Sequence, residues 1–218
     1  MTIHRLIRSW SVSVLLLTSV STAALAQKGE AGAGGGGSFY TKKSVTAPAG
    51  SADTGFEQGF AAGAWIGHNS SKYIGGEIRY LFEQNDLKLS SGGTKVAFAG
   101  RSHAIHYDLL IHGSPTGSKV RPYIAVGGGV KGYYGTGREQ ALQPLVQFAA
   151  LTHTREWKGL ATFGGGVKLQ AGSHIVVRVD FRDYLTPFPK EVIAPARGGK
   201  ISGWLHNFVP MVGISYSW

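Results

Sequence analysis

The chain has 218 residues, with 22 Lys and Arg against 12 Asp and Glu, 33 Gly, 8 Pro and no Cys; 43 % of it is apolar and 16 % charged. This composition excludes a disordered tail, a collagen-like repeat and a disulfide scaffold. The absence of thiols also excludes a lipoprotein anchor, thiol catalysis and Cys-ligated zinc.

The first element is a leader. His4, Arg5 and Arg8 make a basic start, residues 11–20 form a short apolar run, and Ala24-Leu25-Ala26 places small residues before Gln27, the pattern of a cleaved secretory signal. A spanning helix needs about 18–20 apolar residues, roughly twice this run. We expect residues 1–26 to be removed and 27–218 to form one mature domain. The leader holds two arginines and no acid, so the mature chain keeps a formal charge of +8. Downstream, Gly and polar residues interrupt every apolar run, which leaves a soluble protein or one that crosses a membrane by strands. Only a closed barrel can do the latter.

Eight stretches then show alternating patterning with Val, Ile, Tyr, Phe or Trp enrichment: 30–41, 57–68, 72–83, 95–111, 119–133, 157–170, 174–185 and 203–218. Each is long enough to cross a bilayer at a tilt. The connections after the first, third, fifth and seventh are long (42–56, 84–94, 134–156, 186–202), and those after the second, fourth and sixth are short (69–71, 112–118, 171–173). Short periplasmic turns alternating with long extracellular loops, on an even strand count, describe an up-and-down outer-membrane barrel. The expected fold is therefore all-β, an eight-stranded antiparallel transmembrane β-barrel.

Residues two apart share a face of a strand. The third segment puts Ile74, Ile78, Tyr80 and Phe82 outward and Glu77, Arg79 and Glu83 inward; the fourth puts Ile105, Tyr107, Leu109 and Ile111 outward and Ser102, His106, Asp108 and Leu110 inward. The seventh sets Ile175, Val177, Val179 and Phe181 against His174, Arg178, Asp180 and Arg182, and the last sets Trp204, Phe208, Val212, Ile214, Tyr216 and Trp218 against smaller and polar residues. The first two segments divide less clearly, and Trp65 falls on the small-residue face. Outward aromatics near strand ends (Tyr80, Phe82, Trp157, Trp204, Tyr216, Trp218) fit interfacial girdles. A soluble half-buried sheet would also alternate, and a secreted carrier is the competing reading.

The Gly-rich start of the first strand (Gly32, Gly34 to Gly37), the Gly-Gly-Glu-Ile-Arg-Tyr-Leu run at 75–81, the Arg-Pro-Tyr-Ile-Ala-Val-Gly-Gly-Gly run at 121–129 and the closing Val-Gly-Ile-Ser-Tyr-Ser-Trp resemble the small outer-membrane β-barrels of the OmpA/OmpX/OmpW type. The resemblance covers essentially the whole mature chain. It implies that Val212, Ile214, Tyr216 and Trp218 form the signal read by the barrel-assembly machinery. We expect no peptidoglycan-binding domain after the barrel, so the resemblance is not expected to carry over a wall-tethering role.

Eight strands enclose a space that side chains just fill. Glu77, Arg79, His106, Asp108, Arg178, Asp180 and Arg182 then read as a lumenal cluster in which each charge needs an opposite partner, and Gly127, Gly129, Gly164 and Gly166 leave room for long neighbours. A narrow ion path through this cluster is the functional alternative. Catalysis finds little support. His103 and His106 point to opposite faces, His106 with Asp108 reads as a structural pair, and His112 with Ser114, faintly similar to a lipid A deacylase spacing, falls in a periplasmic turn rather than at the outer leaflet. Gly127–Gly129 and Gly164–Gly166 lack the Gly-Lys-Ser/Thr of a nucleotide loop. We expect no enzyme, cofactor, metal or nucleic-acid partner, and a monomer.

The positive charge is scattered and suits a rim facing membrane lipid and anionic lipopolysaccharide; Lys42, Lys43, Lys95, Arg101, Arg138, Arg155, Lys158, Lys190, Arg197 and Lys200 lie in or near the long loops. The third long loop is unusually apolar for an exposed segment, with Leu142, Leu145, Val146, Phe148 and Leu151, and is expected to fold over the mouth or extend the strands above it, or else to dock a partner. The fourth, with Pro187, Pro189 and Pro195, reads as an ordinary stiffened surface segment. The leading functional expectation is envelope integrity or surface interaction through these loops; a narrow channel, a lipid A-modifying enzyme and a soluble carrier are the alternatives.

Overall fold

A computed structural model describes residues 29–139 and 142–218; the expected leader lies outside them. Eight long strands close on themselves: β1 (Gly29–Tyr40), β4 (Gly59–Asn69), β5 (Ile74–Gln84), β8 (Gly100–His112), β9 (Val120–Gly135), β11 (Arg155–Gln170), β12 (Ile175–Pro187) and β15 (Trp204–Ser217). Each pairs antiparallel with its sequence neighbour in the barrel, and β1 closes the ring against β15 through Ala33↔Ile214 and Phe39↔Phe208. Closure leaves no barrel edge in the apolar zone, where an unpaired backbone group costs several kcal/mol.

The surface is inverted relative to a soluble protein. Ile66, Ile78, Ile105, Ile124, Phe163, Val179, Val212 and Ile214 are each about half exposed on the outside, whereas Arg79, Arg182, Lys131 and Asp108 are fully buried inside. Aromatic groups gather at both ends of this band. Tyr80, Phe82, His103, Tyr134 and Trp157 form one chain of ring contacts near the long loops, and His174, Tyr216 and Trp218 stack at the other end. A secreted soluble carrier does not fit this arrangement.

The long connections are not loose. The first holds the hairpin β2 (Lys43–Ala47) and β3 (Gly50–Phe56), and the second holds β6 (Leu87–Ser91) and β7 (Thr94–Phe98). The fourth contributes β13 (Ile193–Pro195) and β14 (Lys200–Ile201), and the third contributes β10 (Ala149–Leu151). These assemble into a five-stranded sheet ordered β14-β2-β3-β6-β7 and a two-stranded β10-β13 pair. The segment expected to run unbroken from 95 to 111 is thus two strands. The β6–β7 hairpin turns at Gly92 and Gly93, both with positive φ (56° and 83°), the conformation that a two-residue turn of this hand demands.

Between these sheets lies a core of Val45, Phe56, Leu87, Leu89, Phe148, Leu151, Phe188, Val192, Ile193 and Ile201, continuous with Tyr133 and Leu205 at the top of the barrel. The molecule therefore carries an apolar cap over its extracellular mouth. The third loop divides accordingly. Phe148 and Leu151 are buried in the cap and Leu145 packs against it, whereas Leu142 and Val146 face solvent. The fourth loop is not the ordinary surface segment that its prolines suggested, because Phe188, Val192, Ile193 and Ile201 are core members.

Truncating Phe148 to Ala removes a buried aromatic from the cap at a cost of about 3–5 kcal/mol. The expected outcome is protease cleavage within the long loops while the heat resistance of the barrel in SDS is retained; simultaneous loss of both would show that cap and barrel unfold as one unit.

Candidate functional site: a filled lumen beneath the cap

The seven polar residues singled out on the inward faces meet in one network. Glu77 on β5 receives bidentate bonds from Arg178 on β12 at 2.6 and 3.0 Å, and also faces Arg79 at 3.1 Å and Arg182 at 3.0 Å. Asp180 is gripped by Arg79 at 2.6 and 3.3 Å and by Arg178 Nε at 3.1 Å, and Tyr123 donates its hydroxyl to the same carboxylate at 3.0 Å. Asp108 lies 2.8 Å from Arg182 and 3.0 Å from His106 Nδ1, and accepts from Thr162. Three arginines and three carboxylates so share a space that water does not reach. Each charge depends on the others, because an isolated ion there carries a desolvation penalty of several kcal/mol.

Several residues of the plug were not legible from parity alone. Trp65 points inward from β4, donates its indole N–H to Ser215 at 3.2 Å, and lies under the guanidinium groups of Arg79 and Arg178 at 5.1 and 4.9 Å from its ring centre. Tyr123 flanks Arg178 from β9 at 4.8 Å. Glu30 on β1 pairs with Lys168 and accepts from Ser215, carrying the network toward the periplasmic mouth. Two glycines make the packing possible. A Cβ at Gly166 would stand 2.6 Å from that of Asp180, and one at Gly164 2.8 Å from Arg182 Cδ.

A second polar layer lies nearer the cap. Glu83 binds Lys131 and accepts from Ser38, Ser102 and Asn207. The Lys131 ammonium is boxed by the rings of Tyr40, Tyr133 and Tyr184 at 5.0 to 5.5 Å. Between the two layers an apolar cluster of Ala61, Leu81, Ala104, Leu160, Val209 and Met211 fills the bore. Along the bore the buried carboxylates Glu30, Glu77, Glu83, Asp108 and Asp180 are thus matched by the buried cations Arg79, Lys131, Lys168, Arg178 and Arg182. Arg121 stands apart at the periplasmic mouth, bonded to Asn69 and to the carbonyls of Ser114 and Lys72.

The inward histidine, carboxylate and hydroxyl groups are bonded to one another. In the His106–Asp108–Thr162 group the carboxylate is the middle member, so the imidazole does not reach the hydroxyl as the base of a nucleophile must. All three are buried. His112 bonds the Tyr73 carbonyl and, like Ser114, belongs to the periplasmic end. Among the described residues no three His, Asp or Glu side chains gather as metal ligands. The C-terminal residues Val212, Ile214, Tyr216 and Trp218 all face outward along β15 and just beyond it.

No family model matches the chain, and no curated protein matches it. Among solved structures it is similar to the outer membrane protein OprG from Pseudomonas aeruginosa, at 12 % identity over 88 % of this chain and 97 % of that one, with a TM-score of 0.56. Weaker likenesses are to Neisserial surface protein A, at 11 % identity, the same coverages and a TM-score of 0.49, and to the N-terminal β-barrel domain of Pseudomonas aeruginosa OprF, at 14 %, the same coverages and 0.46.

Replacing Glu77 by Gln leaves Arg178, Arg79 and Arg182 to share two carboxylates. Unfolding by urea in lipid vesicles is expected to lose about 3–5 kcal/mol of stability, whereas Lys42→Ala at the exposed rim should stay within about 0.5 kcal/mol. The architecture that these side chains hold together, with its apolar band and its eight closed strands, is that of an integral outer-membrane β-barrel.

Proposed function

We propose that this protein is a non-conducting, non-enzymatic outer-membrane barrel that serves envelope integrity or surface interaction through its extracellular cap. The observation that carries the reading is the double closure of the bore. A neutralised ion network and an apolar layer fill the lumen, and a separate apolar core covers its mouth. A protein that moves solutes needs a continuous polar path, and an enzyme needs a reactive group that substrate can reach; the described interior favours neither. What remains accessible is the outside of the cap, where Leu142 and Val146 stand exposed, and the lipid-facing band.

In the same reading residues 1–26 direct export and are removed, the outward side chains of Val212, Ile214, Tyr216 and Trp218 guide assembly of the barrel, and the mature protein works as a monomer surrounded by outer-membrane lipid and lipopolysaccharide. Nothing in the interior network requires a second copy.

Planar-bilayer recording on the refolded protein tests the closed lumen. The expected trace is silent, and deletion of 142–151 should leave it silent because the Glu77–Arg178–Asp180 network lies below the cap. Reproducible conductance steps from the unmodified protein would favour a narrow channel. In cells, loss of the gene should weaken the outer-membrane barrier or surface attachment, with restoration by the full chain but not by a barrel lacking the cap segments; an unaltered envelope and unaltered attachment would contradict the role.

A further inference from the structure

The arginines of the lumen are paired with carboxylates, whereas among the described residues Arg101 and Arg155 at the outer rim have no carboxylate partner. Arg101 at the start of β8 and Arg155 at the start of β11 both sit opposite Tyr134 of the intervening β9, one on each side. The three side chains thus form one row across three neighbouring strands, at the end of the barrel where the long loops leave it. Among the described residues neither arginine has a carboxylate within 4.0 Å, and the Arg101 guanidinium lies 5.9 Å from the centre of the Tyr134 ring. Strand spacing puts their origins about 10 Å apart. Together with Gly135, Thr136, His153 and Thr154 they line a cleft of about 580 Å³ whose described lining residues include no acid. His153 donates from Nδ1 to the Gly137 carbonyl at 2.9 Å, and its backbone N–H donates to the Glu139 carboxylate at 2.7 Å.

Directly beneath this row, toward the membrane, the next residues on the same outer face are Phe82, His103, Gly132 and Trp157, which are neighbours in register. His103 is held by Tyr80 Oη at 2.7 Å and by ring contacts to Phe82 and Tyr134, and Tyr134 meets Trp157 edge-on. Below these come Ile105 and Val130, both about half exposed to lipid. The surface changes from two guanidinium groups without a carboxylate partner to an aromatic shelf to an apolar wall within three rows of one sheet.

We propose that this face, centred on Arg101, Tyr134 and Arg155, is a binding site for a phosphorylated glycolipid of the outer leaflet, of the lipid A type, with its phosphates at the two arginines and its acyl chains along Ile105 and Val130. The proposal rests on the outer-membrane reading above and names one ligand of that surface. Guanidinium groups bind phosphate oxygens in paired, charge-assisted bonds. Two of them with origins about 10 Å apart suit a headgroup bearing two phosphates, and the lipid-facing wall beneath suits its chains. A free phosphate uses neither feature.

The test uses the folded chain in phosphatidylcholine nanodiscs, with native mass spectrometry reading retention of diphosphoryl lipid A, dephosphorylated lipid A or added inorganic phosphate. The Arg101→Ala/Arg155→Ala double variant is compared with Lys42→Ala/Lys200→Ala, which removes equal charge from the loops. Resistance to SDS until heated reports in each case that the barrel is folded. We expect diphosphoryl lipid A to be retained by the parent chain and the lysine variant, affinity to fall at least about tenfold in the arginine variant, and dephosphorylated lipid A to be retained poorly by all three. Equal retention by the folded arginine variant, or displacement of the lipid by millimolar inorganic phosphate, would overturn the glycolipid site and leave the barrel reading standing. Failure of the parent chain to resist SDS or to enter the discs would overturn the barrel reading, and the site with it.

Discussion

A charge inside a closed eight-stranded barrel has no water to face, so every ionised side chain there must be matched by another. That constraint organises the molecule. Glu77 on β5 reaches across the bore to Arg178 on β12, Arg79 on β5 reaches Asp180 on β12, and Arg182 joins both to Asp108 on β8. These bonds link strands that are not neighbours in the sheet. They fix how opposite walls of the barrel sit relative to one another, which backbone pairing between adjacent strands does only around the ring. The glycines at 164 and 166 follow from the same demand, because the facing side chains of Asp180 and Arg182 need the volume that any larger residue would occupy.

The outside obeys the opposite rule. Lipid accepts Ile, Val and Phe and offers nothing to a charge, so the cations outside the bore collect beyond the apolar band, at the rims. Arg101 and Arg155 stand at one rim without a carboxylate partner among the described residues, and Arg121 is bonded to Asn69 and to backbone carbonyls at the other. The cap adds a third environment. It has its own apolar core, built from segments of all four long connections, and behaves as a small packed unit seated on Tyr133 and Leu205. Function in such a molecule belongs to the surfaces that remain free: the outer face of the cap and the lipid-facing wall.

Much of this was legible from alternation. In β5, β8, β12 and β15 large apolar residues occupy one parity and polar residues the other, so Glu77, Arg79, His106, Asp108, Arg178, Asp180 and Arg182 can be placed inside from sequence. The signal fades in β1 and β4, whose lipid-facing residues include Ala31, Ala33, Gly35, Ala62 and Ala64, too small to contrast with the inward face. Trp65 therefore falls on the small-residue side with no sign of its part in the plug, and no local period places Glu30 in the lumen. Lys131 and Lys168 lie on the Gly-rich strands β9 and β11, where the same loss of contrast hides them. The break before β8 did leave a trace, since Val96 and Phe98 fall on even positions and Ile105, Tyr107, Leu109 and Ile111 on odd ones; a change of phase marks a change of element. The cap was less accessible, because its β10–β13 pairing joins residues more than forty positions apart and no local period records such a contact.

The chain contains no cysteine, so single cysteines can report on each surface without interference. We would place them at the lipid-facing Val126, Val179 and Val212 and at the inward Ala125, Thr162 and Val209, refold each variant into vesicles, and measure reaction with a membrane-impermeant thiol reagent together with quenching by brominated lipid. The account predicts that fluorophores at the first three sites are quenched from the lipid phase and that the last three thiols stay unreactive toward the aqueous reagent until the barrel is unfolded. Rapid aqueous labelling at Ala125, Thr162 and Val209 in the folded protein would mean an open, water-filled bore and would contradict the sealed lumen on which the account depends.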